Sequence, residues 1–304
     1  MIFDNAGNLY GITGKGGIKG NGVVFELGPT EKKWKQTILH SFVGTDGANP
    51  AGGLIMDPAG NLYGTTQNGP DGTATVFELS RAGGYWTEQV TYTIAQPLLV
   101  GLPNGLIMDT AGNIFGTTTF TIFELSPDGL GAWNPNVLYT FTDGLKDGAY
   151  VLGTSVLDRA GNLYGTTENG GAFGEKDFGY GTVWKLTHGK KGWTEKVLYS
   201  FKGGTKDGLA PVAGIVFDAA RNIYGTTYLG GTSNNGTVFE LVAQVGSDTY
   251  EERVLWNFNG TDGSEPFSSL VLDSGGNLYG TTLIGGSTDE SGSTGNGVVL
   301  EVTP

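Results

Sequence analysis

Asp57-Pro58-Ala59-Gly60-Asn61-Leu62-Tyr63-Gly64-Thr65-Thr66 is the stretch whose recurrence decides the fold. Its centre returns as Gly7-Asn8-Leu9-Tyr10-Gly11, Gly112-Asn113-Ile114-Phe115-Gly116, Gly161 to Gly165, Arg221-Asn222-Ile223-Tyr224-Gly225 and Gly276 to Gly280, at spacings of 53, 52, 49, 60 and 55 residues. A fixed period of about 50 residues marks a repeat architecture. Around each copy the order is the same: an apolar run ending in Asp, the turn, Leu-Tyr-Gly-Thr-Thr, a Gly-rich loop, Val-Phe-Glu-Leu, a second loop, and Trp-x-x-x-Val-Leu-Tyr-x-Phe. The apolar runs are short, rich in β-branched and aromatic residues, and bounded by Gly, Asn, Asp or Pro, which predicts four strands per unit. Four strands per repeat, six times over, predict an all-β, six-bladed β-propeller in which the whole chain, residues 1–304, is a single domain.

Within blade 2 the strands are expected at Leu54 to Asp57 (A), Leu62 to Thr66 (B), Thr75 to Leu79 (C) and Trp86 to Ile94 (D). Asp57 is expected to accept local backbone N–H groups, in a turn whose Gly60 and Asn61 are residue types that tolerate positive φ. Gly64, inside strand B, predicts close approach of a large ring, expected to come from neighbouring blades. Blade 3 has a shortened B–C loop, Thr117 to Thr121, and the last blade lacks its outer strand.

Composition narrows function. The 304 residues contain 55 Gly, 34 aromatic side chains and no Cys, and carry a net charge of −13. Zero cysteine removes disulfides, thiolate metal sites and thiol nucleophiles. The acidic balance argues against nucleic acid as a partner, and no apolar run approaches the roughly 20 residues of a membrane span.

The string Asp-x-Ala-Gly-Asn-Leu-Tyr-Gly-Thr-Thr, with Gly-Thr-Val-Phe-Glu-Leu and Trp-x-Glu-x-Val-Leu-Tyr-Ser-Phe, resembles the GloVer tandem repeat. It is carried nearly unbroken by Asp158 to Thr167 and Gly181 to Phe201, with Trp184 and Lys185 in place of Phe and Glu in the strand C string. The resemblance implies a bacterial, exported, cell-surface or extracellular repeat protein and supplies no catalytic residues. Met1-Ile2-Phe3-Asp4 enters a strand without the basic segment and apolar core of a signal peptide; an export signal outside these residues or a cytoplasmic protein are the two readings, and the resemblance favours export.

Strand order puts the B–C and D–A loops on one face, expected to be the functional face. Just before strand A stand small or apolar residues, with Asn104 and Ser268 as the polar exceptions. This predicts no axial catalytic centre and no catalytic residue. His40 replaces Tyr139, Tyr199 and Trp256 on strand D; His188 is expected in a C–D loop. Neither is read as catalytic.

Asp-Gly pairs in the D–A loops nominate Asp46, Asp147, Asp207 and Asp262 for a structural calcium ion, against a plain turn. The repeated Glu26, Glu78, Glu124, Glu240 and Glu301, replaced by Lys185 in blade 4, are expected to pair with a neighbouring blade. The blade 4 B–C loop presents Phe173, Asp177, Phe178 and Tyr180, which with Asn104 and Phe267 form the expected ligand-binding set, since rings stack on pyranose faces while polar groups take the hydroxyls.

The leading expectation is a non-catalytic extracellular binding or surface-assembly module for a glycan or cell-wall polymer. The alternatives are a metal-dependent hydrolase or lyase using Asp177, Asp207 and Asp262, and a structural repeat protein that self-assembles through the edge strand Gly297 to Val302.

Overall fold

The computed structural model describes the chain except residues 83–84, 95–103, 143, 145–146, 176–177 and 287–294. It is an all-β, six-bladed β-propeller built from antiparallel sheets. The chain separates into two compact units, Met1–Thr140 with blades 1 to 3 and Phe141–Pro304 with blades 4 to 6.

Blade 2 shows the grammar in full, with strands Ala48–Met56, Leu62–Asn68, Ala74–Ala82 and Tyr85–Ile94 as A to D. Strand A begins earlier than predicted because it crosses a bulge between Ala51 and Leu54, where Gly52 and Gly53 take positive φ. Blade 3 turns directly from Ile114–Thr117 into Thr121–Pro127, as its short loop requires. In blade 6, strand C is Val299–Val302, and it pairs with Leu278–Ile284.

The motif aspartate organises each A–B turn. Asp57 Oδ1 accepts the N–H groups of Ala59 (2.9 Å) and Asn61 (2.8 Å), while Oδ2 accepts the Asn61 amide (2.8 Å) and the Tyr63 hydroxyl (3.3 Å). The same set recurs on Asp4 and Asp158. The string Asp-x-x-Gly-Asn-x-Tyr is therefore a closed hydrogen-bond circuit around one carboxylate.

Two expected partners are corrected. The ring over Gly64 comes from Phe77 of the same blade, its register partner on strand C, because side chains on adjacent strands of one face are nearest neighbours. Two strand C glutamates likewise pair within their own blades: Tyr224 donates to Glu240 Oε1 and Tyr279 to Glu301 Oε1, both at 3.0 Å. Lys185, the exception in blade 4, reaches another blade, where Asp248 accepts from its ammonium at 2.9 Å.

The core lies between blades. Val24 and Phe42 of blade 1 pack with Leu62 and Phe77 of blade 2, and Val183 and Phe201 of blade 4 with Ile223 and Phe239 of blade 5. Phe42 meets Phe77 edge to face at 5.1 Å, and Phe201 repeats this on Phe239 at 5.1 Å. Further out, Tyr10 meets Trp86 at 6.3 Å and Tyr63 meets Trp133 at 5.9 Å. Each buried ring contributes about 1.5–3 kcal/mol that an isolated sheet could not obtain.

Candidate functional site

The face carrying the B–C and D–A loops is shaped by a backbone device absent from the sequence reading. Three residues after each D–A loop aspartate, Asn49, Tyr150, Ala210 and Glu265 have φ between 53° and 60°. Non-glycine residues held in this left-handed region cost of order 1–3 kcal/mol each. Hydrogen bonds hold them there. The N–H groups of Asn49, Ala210 and Glu265 donate to the carbonyls of Asn21, Tyr180 and Asn235 on the preceding blade, at 2.9, 2.9 and 3.0 Å. The carbonyls of Tyr150 and Ala210 accept from Glu168 and Tyr228, the residues that follow strand B, at 2.9 Å. The same backbone device thus presents, within each unit, side chains that vary from blade to blade.

In the second unit this device assembles a mixed aromatic and acidic patch. The Tyr228 hydroxyl donates to Glu265 Oε2 at 2.6 Å. Phe267, two residues on and 54% exposed, stands edge to face against the Tyr228 ring at 6.2 Å. The hydrogen bond to Glu265, then burial, then the charges of Glu265 and Glu168 push the Tyr228 phenol up. Burial also raises the Glu168 carboxyl. Tyr228 therefore stays a neutral donor that fixes the Glu265 carboxylate beside an open aromatic face.

Of the expected ligand set, Phe267 lies in this patch. Phe173, Phe178 and Tyr180 belong to the blade 4 hairpin, where Gly174–Glu175 pairs with Phe178–Gly179. Phe178 is 63% exposed and Phe173 43% exposed, with the Lys202 ammonium 5.8 Å from the Phe173 ring centroid, and Tyr180 is half-buried against the blade 4–5 core. Asn104 sits in the first unit, its N–H bonded to Thr117 O at 2.9 Å. Asp177 lies outside the described residues. Ser268 is occupied by strand B, accepting the Thr281 N–H at 2.9 Å.

The four loop aspartates are engaged by protein donors. Asp147 accepts from Thr142 through both its N–H and its hydroxyl at 2.9 Å. Asp207 accepts from the Tyr199 hydroxyl at 2.7 Å and Lys202 N–H at 2.8 Å, and Asp262 from Asn259 N–H at 2.9 Å. Asp46 accepts from Val43 N–H at 2.8 Å and meets His40 Nε2 at 2.9 Å. His188 lies within strand Thr182–Gly189, not in a loop, its ring 5.1 Å from that of Trp193.

The opposite face of the second unit holds two adjoining clefts of about 420 and 540 Å³ that share Asp158 and Arg221. Arg221 occupies the glycine position of the repeat at φ 71°. Its guanidinium donates to Asp158 Oδ2 and to the Tyr164 hydroxyl, each at 3.0 Å. Burial opposes ionisation of Asp158, but bonds from Asn162, Arg221 and Ala160 outweigh it and hold the carboxyl down at about 2. The charges here neutralise one another, which marks this cleft as a joint between blades.

The chain belongs to the Gloeobacter/Verrucomicrobia repeat family, whose profile matches residues 1–174 and 103–304. No curated protein matches it. Among solved structures it is similar to virginiamycin B lyase from Staphylococcus aureus, at 14% identity and TM-score 0.57 over 99% of this chain and 82% of that one. A putative 6-phosphogluconolactonase from Bacteroides fragilis gives 16% and 0.55 over 96% and 81%. PorZ, a surface component of the type-IX secretion system of Porphyromonas gingivalis, gives 13% and 0.53 over 91% of this chain and 38% of that one. At such identities the likeness shows the propeller fold alone, a scaffold that hosts unrelated functions. Among the described residues no helix is long and apolar enough to cross a membrane.

Proposed function

We propose that the protein is a non-catalytic binding module that acts outside the cell and holds a glycan or cell-wall polymer on the second unit's B–C/D–A face. The observation that carries this reading is the Tyr228–Glu265–Phe267 group. An exposed ring offers a stacking platform for the apolar face of a pyranose. A carboxylate whose orientation is fixed by a tyrosine offers a preorganised acceptor for adjacent hydroxyls. Family membership and the repeat architecture agree with an exported role. A glycan array followed by calorimetry on the best oligosaccharide tests it. Binding by the intact chain, lost in Phe267→Ala and weakened in Glu265→Gln with unchanged melting temperature, is the expected result. Turnover of the bound sugar, or binding indifferent to both substitutions, contradicts it.

A second reading rests on the blade 6 edge. Val299 is 81% exposed, and among the described residues strand Val299–Val302 is paired only with Leu278–Ile284. Such an edge is a template for a further strand, so self-association should appear as a concentration-dependent mass that Val299→Lys abolishes.

A further inference from the structure

One cluster on the first unit joins two blades with chemistry that the proposed binding surface does not use. His40 ends strand D of blade 1, Asp46 lies in the D–A loop that follows, and Glu88 stands on strand D of blade 2. One donor atom from each, an imidazole nitrogen and two carboxylate oxygens, lies within 4.8 Å of the others. His40 Nε2 and Asp46 Oδ2 are 2.9 Å apart, and their side chains remain 21% and 19% exposed, which leaves an approach from solvent. Glu88 Oε1 is shut off from solvent and accepts no hydrogen bond, an orphaned acceptor beside a second carboxylate.

The repeat supplies its own comparison. Glu195 with Asp147, and Glu252 with Asp207, occupy the same positions on later blades, again with orphaned Oε1 atoms. At the Asp207 copy the place of His40 is taken by Tyr199, whose hydroxyl donates to Asp207 at 2.7 Å. A phenol there provides a hydrogen bond and no ready metal donor, whereas the neutral imidazole is the commonest nitrogen ligand of transition metals.

We propose that His40, Asp46 and Glu88 form a site for one divalent transition metal ion of the zinc class, a staple between blades 1 and 2. One nitrogen and two carboxylate oxygens suit zinc, whose bonds to N and O are about 2.0–2.2 Å, and a dication compensates two facing carboxylates. Calcium, which takes six to eight oxygens, is a poorer fit to this donor set. The ion would take the place of the hydrogen between His40 Nε2 and Asp46 Oδ2, with the one N–H of the neutral imidazole carried on Nδ1. The Asp46 Oδ1 bonds to Val43 and Gly44 are untouched and keep the carboxylate oriented.

The test uses the full chain stripped with chelator and titrated with zinc chloride, read by calorimetry and thermal melting. One zinc per chain and a raised melting temperature are expected. His40→Tyr, which installs the residue of the sister site, should keep the apo melting temperature. It should lose at least the roughly 10–100-fold in affinity that even an outer partner is worth. Glu88→Gln should weaken binding as well, and His188→Ala should leave it unchanged. No uptake at millimolar zinc overturns the proposal. So does a stoichiometry of two or three that survives His40→Tyr, loss of binding in His188→Ala alone, or uptake of calcium in preference to zinc.

Discussion

The ring of Phe77 lies directly over Gly64: a Cβ built on Gly64 would stand 2.5 Å from Phe77 Cζ and 3.0 Å from Leu54 Cδ2. The relationship repeats at Gly11 with Phe25, Gly116 with Phe123, Gly165 with Trp184 and Gly225 with Phe239. The glycine of Leu-Tyr-Gly-Thr-Thr is thus the socket for a ring that also fills the interface to the adjoining blade.

Gly64→Val should destabilise the protein by about 1–3 kcal/mol, because Phe77 is fully buried and cannot swing clear. Gly144→Ala is the control, since nothing lies within 4 Å of its Cβ position; it should stay within about 0.5 kcal/mol. Urea unfolding of both variants measures the contrast.

Asp158→Asn removes a charged acceptor of the A–B turn and should cost about 2 kcal/mol. The acid limb of stability follows from the same group. Its carboxyl is at about 2 in the fold against 3.8 as the ordinary value. Its contribution is therefore complete above about pH 4 and is lost as pH falls toward 2. Melting curves should show a steeper acid loss for the native chain than for Asp158→Asn.

Glu88, Glu195 and Glu252 carry the opposite sign. Burial first, and then Asp46, Asp147 and Asp207 respectively, raise each from 4.5 to about 7. The folded state holds these protons more tightly, so their stabilisation is complete below about pH 4.5 and fades as pH rises through 7. In the presence of chelator, the melting temperature should climb as pH is lowered from mildly alkaline values to about 5. The triple Glu→Gln variant should flatten that slope and melt higher at alkaline pH.

Arg221 occupies a position where the other five copies of the turn have glycine. Arg221→Ala keeps the strained φ and loses the bonds to Asp158 and Tyr164, whereas Arg221→Gly loses the bonds and relieves the strain. The glycine variant should therefore be more stable than the alanine variant by about 1 kcal/mol, as differential scanning calorimetry would resolve.

Six blades and their strands were legible because the Asp-x-x-Gly-Asn-x-Tyr circuit is local: every bond it makes falls within six residues. Partners across strands were less so. The ring over Gly64 and the acceptor of Tyr224 were assigned to neighbouring blades because sequence carries no register. The Tyr228–Glu265 pair is not legible in the sequence because its two residues lie 37 positions apart on different blades and meet only once the loops of the face are folded. What the sequence does carry is the variable identity of Asn49, Tyr150, Ala210 and Glu265 at a fixed distance from Asp-Gly. Glu88 was visible in Trp-x-Glu, but its approach to Asp46 depends on how adjacent sheets pack.

The most direct measurement is a crystal structure with the best-binding oligosaccharide. The account predicts a sugar ring stacked on Phe267 with a hydroxyl donating to Glu265. A sugar held instead on the Phe173–Phe178 hairpin, or in the cleft beside Arg221, would contradict it.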